Sequence, residues 1–184
     1  MRYSRESIIR ESIPLLTLCV VLEITGGQLL NTVDTFTEIP ILLITVPVLN
    51  GLFGNIGSIL GARLSTGLHL GEIDISLQNR KLRNNVLQAL ILGLVVLFAL
   101  SGLIWIITPF TGLSTGDIEL IQFIKIMLGA GILMTILVIF TSVISALLSF
   151  KKGMDPDNTV TPIVTTTGDL MGIITLVVMV GLVL

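Results

Sequence analysis

Five apolar runs, each holding no more than two charged side chains, fill most of this 184-residue chain. A helix needs roughly 20 apolar residues to cross about 30 Å of hydrocarbon, and every run meets that length. Without water in that layer, a segment must satisfy its own backbone hydrogen bonds, and runs of this length do so as α-helices. The expected fold is therefore all-α, a polytopic membrane protein with spans at 12–31, 38–70, 85–107, 118–150 and 156–184. The longer spans have room to tilt or project beyond the bilayer. The longest connection, 71–84, is too short to bury a core and reads as a polar loop or short surface helix. The chain thus reads as a single five-helix domain over 1–184, with no soluble regulatory domain.

Composition agrees with that reading and narrows the function. Charged residues make up 12% of the chain, against about 25% in soluble domains. Mean hydropathy is +1.03. No basic patch interleaves with aromatics, so nucleic-acid binding has no support. Cys19 is the only cysteine and His69 the only histidine; together they exclude an internal disulfide and a dedicated structural zinc site. Arg2, Arg5 and Arg10 before an apolar run suggest a signal peptide superficially. No small-residue cleavage site follows, and Glu23 interrupts the apolar stretch, so a retained first span is expected.

Charge placement gives a direction. Nine of the ten basic residues lie before span one, around the end of span two and the loop after it, or after span four; Lys125 is the exception. The loops at 32–37 and 108–117 contain no Lys or Arg. The positive-inside rule then puts the N-terminus in the cytoplasm and the C-terminus outside, which five spans require. A multi-pass plasma-membrane location in the lipid bilayer is expected.

Polar residues within the spans carry the chemistry. Thr161, Thr165 and Asp169 are four apart and stack on one helical face. With Asp155 as N-cap and Pro156 opening the helix, Asp169 lies about 20 Å along the axis, near mid-depth. Pro162 frees the carbonyl of Asn158, which a hydrated cation in a water-filled pore would satisfy. A carboxylate at mid-membrane costs about 2.5–3.5 kcal/mol on insertion scales. Protonation or a buried basic partner would relieve that cost, but the basic residues lie near the span ends. Glu23, amid Thr25, Gly26, Gly27 and Gln28, is a possible second intramembrane acid, a transport ligand or a helix-packing hydrogen bond.

Span two reads PVLNGLFGNIGSILGARLSTGLHLG over 47–71. Gly54, Gly57, Ser58, Gly61 and Ser65 repeat at three- and four-residue spacing, which permits close helix approach. Asn50 and Asn55 differ, since an amide in hydrocarbon needs a partner. Asn55 shares a face with Gly51, which suits a pore lining or a helix interface. His69, Glu72 and Asp74 fit a solvated connection better than a metal cluster. Asp117 and Glu119 lie at the expected outer mouth, where they would attract cations or face water. No nucleophile–base arrangement or phosphate loop is present, so an enzyme is not expected.

Hydroxyls, carbonyls and a carboxylate form an all-oxygen environment, which favours hard cations such as Mg2+ or Ca2+. One carboxylate cannot enclose a divalent ion, whereas a twofold dimer with span five near its axis would bring two Asp169 side chains together.

The span-two stretch, together with DPDNTVTPIVTTTGDLMG entering span five, resembles the membrane domain of the MgtE-type magnesium transporters. The small-residue style of span two looks closer to the archaeal and animal solute-carrier relatives. The resemblance covers all five spans and implies a homodimer whose pore is lined by spans two and five. Asp169 matches the family's central Mg2+-binding aspartate, and Asn55 its pore-facing asparagine. Asn158 and Thr165 fall on the same pore-facing side, and Asp155 matches the acid at the cytoplasmic entrance. The cytosolic N-domain and CBS pair of the bacterial branch are missing, so their gating does not carry over; a separate regulatory chain is left open.

The expected function is a dimeric divalent-cation transporter or channel, for Mg2+ first, with Mn2+ or Co2+ open. The alternatives are a non-transporting membrane assembly subunit, or a sodium- or proton-coupled carrier of another substrate.

Overall fold

A computed structural model describes residues 5–31, 35–74, 79–112 and 114–184. Five long helices account for nearly all of them: α1 Arg5–Asn31, α3 Pro40–His69, α4 Arg80–Ile107, α5 Leu120–Lys151 and α6 Pro156–Val183. All five are long and apolar enough to cross a membrane. A single-turn helix, α2 (Thr35–Glu38), precedes α3, and a 3-10 turn, Thr108–Phe110, follows α4.

Local sequence sets the helix ends. Pro40 and Pro156 open α3 and α6, where a missing N–H loses no hydrogen bond. Asn79 accepts from the backbone N–H groups of Lys81 and Leu82 and so starts α4 five residues before the expected 85. Of the two readings open for 71–84, polar loop or short surface helix, residues 80–84 are helical and continue directly into the span, as the first turns of α4. Gln122 Oε1 accepts from the Glu119 N–H at 2.9 Å, fixing the entry to α5. α3 and α5 close alike. Gly71 and Gly153 take φ of 67° and 72°, and the next residues return N–H bonds to Gly67 and Ser149. That left-handed turn is one a side chain would strain.

The core lies among α3, α5 and α6, where Leu49, Phe53, Ile126, Met127, Met134, Val164 and Leu176 are buried. α6 packs against α1, α3 and α5, and α4 packs on α5 and α3. Among the described residues, α1 packs extensively against α6 alone. Its apolar side chains are largely exposed, as are Val95 and Phe98 of α4; in a bilayer such faces meet lipid.

α3 and α6 meet antiparallel through small residues. A Cβ on Gly57 would overlap Val164 and Val138, and one on Gly61 would overlap Val160. Gly54 lies against Thr165 and Gly168. The glycine stripe of α3 therefore brings two backbones together, the packing role its spacing suggested.

Candidate functional site: a polar groove along α6

The α3 contacts register one helix on the other. Asn50 meets Asp169 and Gly172, Gly54 meets Thr165, and Gly61 meets Val160. α1 contacts the adjoining face of α6 in parallel. The Asn158 amide donates to Glu11 at 3.4 Å, the Cys19 thiol contacts the Pro162 carbonyl at 3.6 Å, and the Thr166 hydroxyl donates to Glu23 at 3.2 Å. Where these two lines of contact adjoin, α6 presents a strip carrying Asn158, Thr165 and Asp169, all partly exposed. Thr161 is exposed beside them. The strip forms the floor of a groove with α1 and α3 as its walls.

The chemistry of this floor is oxygen-rich. Thr165 directs its hydroxyl hydrogen to the main-chain carbonyls of Thr161 and Pro162, at 3.0 and 3.2 Å. Its oxygen lone pairs stay available as acceptors. Asp169 is half-buried and thirteen residues past Pro156, so the helix lifts it about 20 Å from its start. The Asn50 amide donates to the Asp169 main-chain carbonyl at 3.4 Å, which ties its peptide to α3.

On α3, Gly51 and Asn55 lie at the depth of Asp169 and Thr165, and both are exposed. A Cβ on Gly51 would meet nothing within 4 Å. Half-buried Ser58 and exposed Ala62 follow at spacings of three and four, extending a small, polar strip beside the glycines that pack on α6.

Other sequence candidates have different surroundings. Asp155 is 6% exposed, and its carboxylate accepts from the Asp157 N–H at 3.0 Å; here it caps the start of α6. Glu23 is bound to Thr166, one turn before Asp169, which is the helix-packing bond open in its sequence reading. Glu72 pairs with Lys81 at 2.9 Å. The His69 ring bonds the Ser65 carbonyl and packs edge-on against Phe150. Among the described residues, no three His, Cys, Asp or Glu side chains converge on a common metal position. Any cation held at Asp169 must draw its remaining oxygens from groups outside such a cluster, among them hydroxyls, carbonyls and water.

Sequence reasoning missed Glu11 as a partner of Asn158. The signal was weak, an acid in the first turns of α1, and only the parallel packing of α1 on α6 pairs the two.

The sequence profile described as MgtE, divalent cation transporter, matches residues 46–179. The chain belongs to this family. It is a family of transporters, not enzymes, and the match takes in α4, α5 and most of α3 and α6. The first helix, with Glu11 and Glu23, lies outside the match. Solute carrier family 41 member 2 of Gallus gallus is 31% identical over 156 residues, covering 80% of this chain and 26% of its own length. Solute carrier family 41 member 3 of Rattus norvegicus is 31% identical over 161 residues, covering 80% and 33%. The Mus musculus member 2 protein is 26% identical over 174 residues, covering 86% and 29%. This chain therefore spans about a quarter to a third of the length of these relatives.

Proposed function

We propose that this member of the divalent-cation transporter family carries Mg2+, with Mn2+ or Co2+ as the alternative cargo, through a pore between two copies of the chain. The N-terminus lies in the cytoplasm and the C-terminus outside, across the plasma membrane. The observation that carries the reading is the open polar strip at mid-helix. Asp169, Thr165 and Asn158 line a groove that a single chain leaves uncovered, beside exposed Gly51 and Asn55 at the same depth.

A twofold partner would face α3 and α6 across the groove and bring a second Asp169 to the axis. Two carboxylates then balance the divalent charge while the ion keeps several waters, as Mg2+ favours. The cation in turn relieves the burial of the two acids. Asn55, Thr161 and Thr165 supply oxygen acceptors along the route, and Asp155 lies at its cytoplasmic end as a capping residue first.

The test is Mg2+ flux into proteoliposomes of the purified chain. Asp169→Ala and Asp169→Asn should both reduce uptake to that of empty vesicles while the protein inserts normally. Near-normal uptake by Asp169→Ala would refute the central role of this carboxylate. Absence of flux from the unmodified chain would favour an assembly subunit instead.

A further inference from the structure

Away from the α6 groove, α3 and α4 leave a crevice near the end of the bundle where α3 stops and α4 starts. Its deeper part, about 220 Å3, is apolar, with Ile59, Leu60 and Leu92 among its walls. Its outer part, about 370 Å3, reaches Glu72 and Lys81. Arg63 and Asn85 border both parts. On α4, Lys81, Asn85, Gln88 and Leu92 follow at spacings of four, three and four, so one helical face lines the crevice from its polar to its apolar end.

Arg63 is the residue that needs explaining. Its guanidinium donates to Gln88 Oε1 at 2.7 Å. Among the described residues it forms no ion pair, since Glu72 is taken by Lys81. A guanidinium has five N–H donors in a fixed fork, so most of its capacity is unused. Arg63 lies six residues before the end of α3, about 9 Å by helical rise. Its long side chain carries the charge toward headgroup depth while the stem stays against apolar surface. It lies nine residues, two and a half turns, from Gly54 and therefore on the face of α3 turned away from α6.

We propose that this crevice binds one anionic phospholipid. The phosphate sits on Arg63, helped by the Asn85 amide, and one acyl chain lies along Leu60 and Leu92. Three features converge on that occupant. A fork with most of its donors unpaired among the described residues, one being held by Gln88, can still match phosphate oxygens bidentately. The apolar cavity lies directly behind the charge, where a lipid tail follows its headgroup. Basic pockets between membrane helices also favour anionic lipids over zwitterionic ones. A small inorganic anion would satisfy Arg63 but leave the apolar part unfilled. The site is separate from the cation groove, and its test does not depend on transport.

The purified full chain would be held in micelles with equal amounts of dioleoylphosphatidylglycerol and dioleoylphosphatidylcholine, and the lipid retained during delipidation counted by native mass spectrometry. The expected result is one tightly held phosphatidylglycerol per chain, in roughly fivefold preference, the factor one basic side chain contributes near an anionic group. Arg63→Gln should abolish the preference and Arg63→Lys should keep part of it. Leu92→Trp, which fills the apolar part with the charge intact, should reduce retention of both lipids. Equal retention of the two lipids by the unmodified protein would overturn the proposal without reference to any variant. So would an undiminished preference in Arg63→Gln, or displacement of the lipid by an equal concentration of soluble glycerol phosphate.

Discussion

The side-chain amide of Asn50 on α3 donates to the main-chain carbonyl of Asp169 on α6. The same side chain is wedged against Gly172, where a Cβ would overlap its Oδ1. That oxygen is buried and has no hydrogen-bond partner among the described residues, a cost accepted for a fixed position. Asn50 thus holds the peptide of Asp169 at a set depth and rotation without occupying its carboxylate.

Two substitutions test this arrangement from opposite sides. Asn50→Leu removes the interhelical bond, and should lower stability by about 0.6–2 kcal/mol, the range for such bonds in membranes. Gly172→Ala keeps the amide but pushes it aside, and overpacking of this kind costs about 1–3 kcal/mol. Both should lower Mg2+ flux more than they lower the amount of inserted protein. Thermal unfolding in detergent and flux per inserted chain would be compared. Flux that merely follows the folded fraction would show that Asn50 only packs.

The glycines of α3 should divide into two classes. Gly57→Ala places a Cβ onto Val164 and Val138 and should destabilise the bundle by about 1–3 kcal/mol. Gly51→Ala meets nothing within 4 Å and should leave the melting temperature of the detergent-solubilised monomer unchanged. On the proposed pore it should still reduce Mg2+ uptake. Loss of monomer stability in Gly51→Ala would count against an open face there.

Much of this division was legible in the sequence, and the physical reason differs between residues. The five helices follow from apolar run length, and Asp155-Pro156 announced the start of α6 because a cap and a fixed φ are local properties. The spacing of Gly54, Gly57 and Gly61 announced a close crossing. It could not reveal which helix crossed, because a bare backbone is the same surface to any partner. Asn50 was recognisable as an amide in need of a partner, yet that partner is a main-chain carbonyl, a group present at every position. Glu23 and Thr166 are 143 positions apart, and only the parallel packing of α1 on α6 brings them together.

Glu23 offers a sharp comparison of charge against packing. Glu23→Gln keeps an oxygen acceptor for the Thr166 hydroxyl and removes the charge. It should preserve both stability and Mg2+ uptake within about twofold, under 0.5 kcal/mol. Thr166→Val deletes the bond and should loosen α1, read as faster proteolysis near the N-terminus. A large uptake defect in Glu23→Gln with normal stability would make this acid a second ligand on the ion path.

At Asp155, the cap and the charge can be separated. Asp155→Ala removes the acceptor for the Asp157 N–H and should destabilise the chain by about 0.5–2 kcal/mol. Asparagine caps as well as aspartate, so Asp155→Asn should retain the melting temperature. If Asp155→Asn transports as well as the unmodified chain, the residue acts through the helix start. A selective flux defect would instead support a role for its charge at the pore entrance.

The proposed twofold pore makes a geometric prediction that needs no transport measurement. Thr161 on α6 is exposed beside the groove, and the proposed axis runs through that groove. Phe98 on α4 is 69% exposed, on a helix that does not border the groove. In a chain whose Cys19 is replaced by Ala, Thr161→Cys should give a disulfide-linked dimer on mild oxidation in membranes, since bridging requires Cα atoms within about 7 Å. Phe98→Cys should stay monomeric under the same conditions. Asn55→Cys, on the α3 wall about one turn along the groove at the level of Thr165, should cross-link more strongly than Phe98→Cys. Preferential cross-linking through Phe98 would place the interface on α4 and remove Asp169 from the axis.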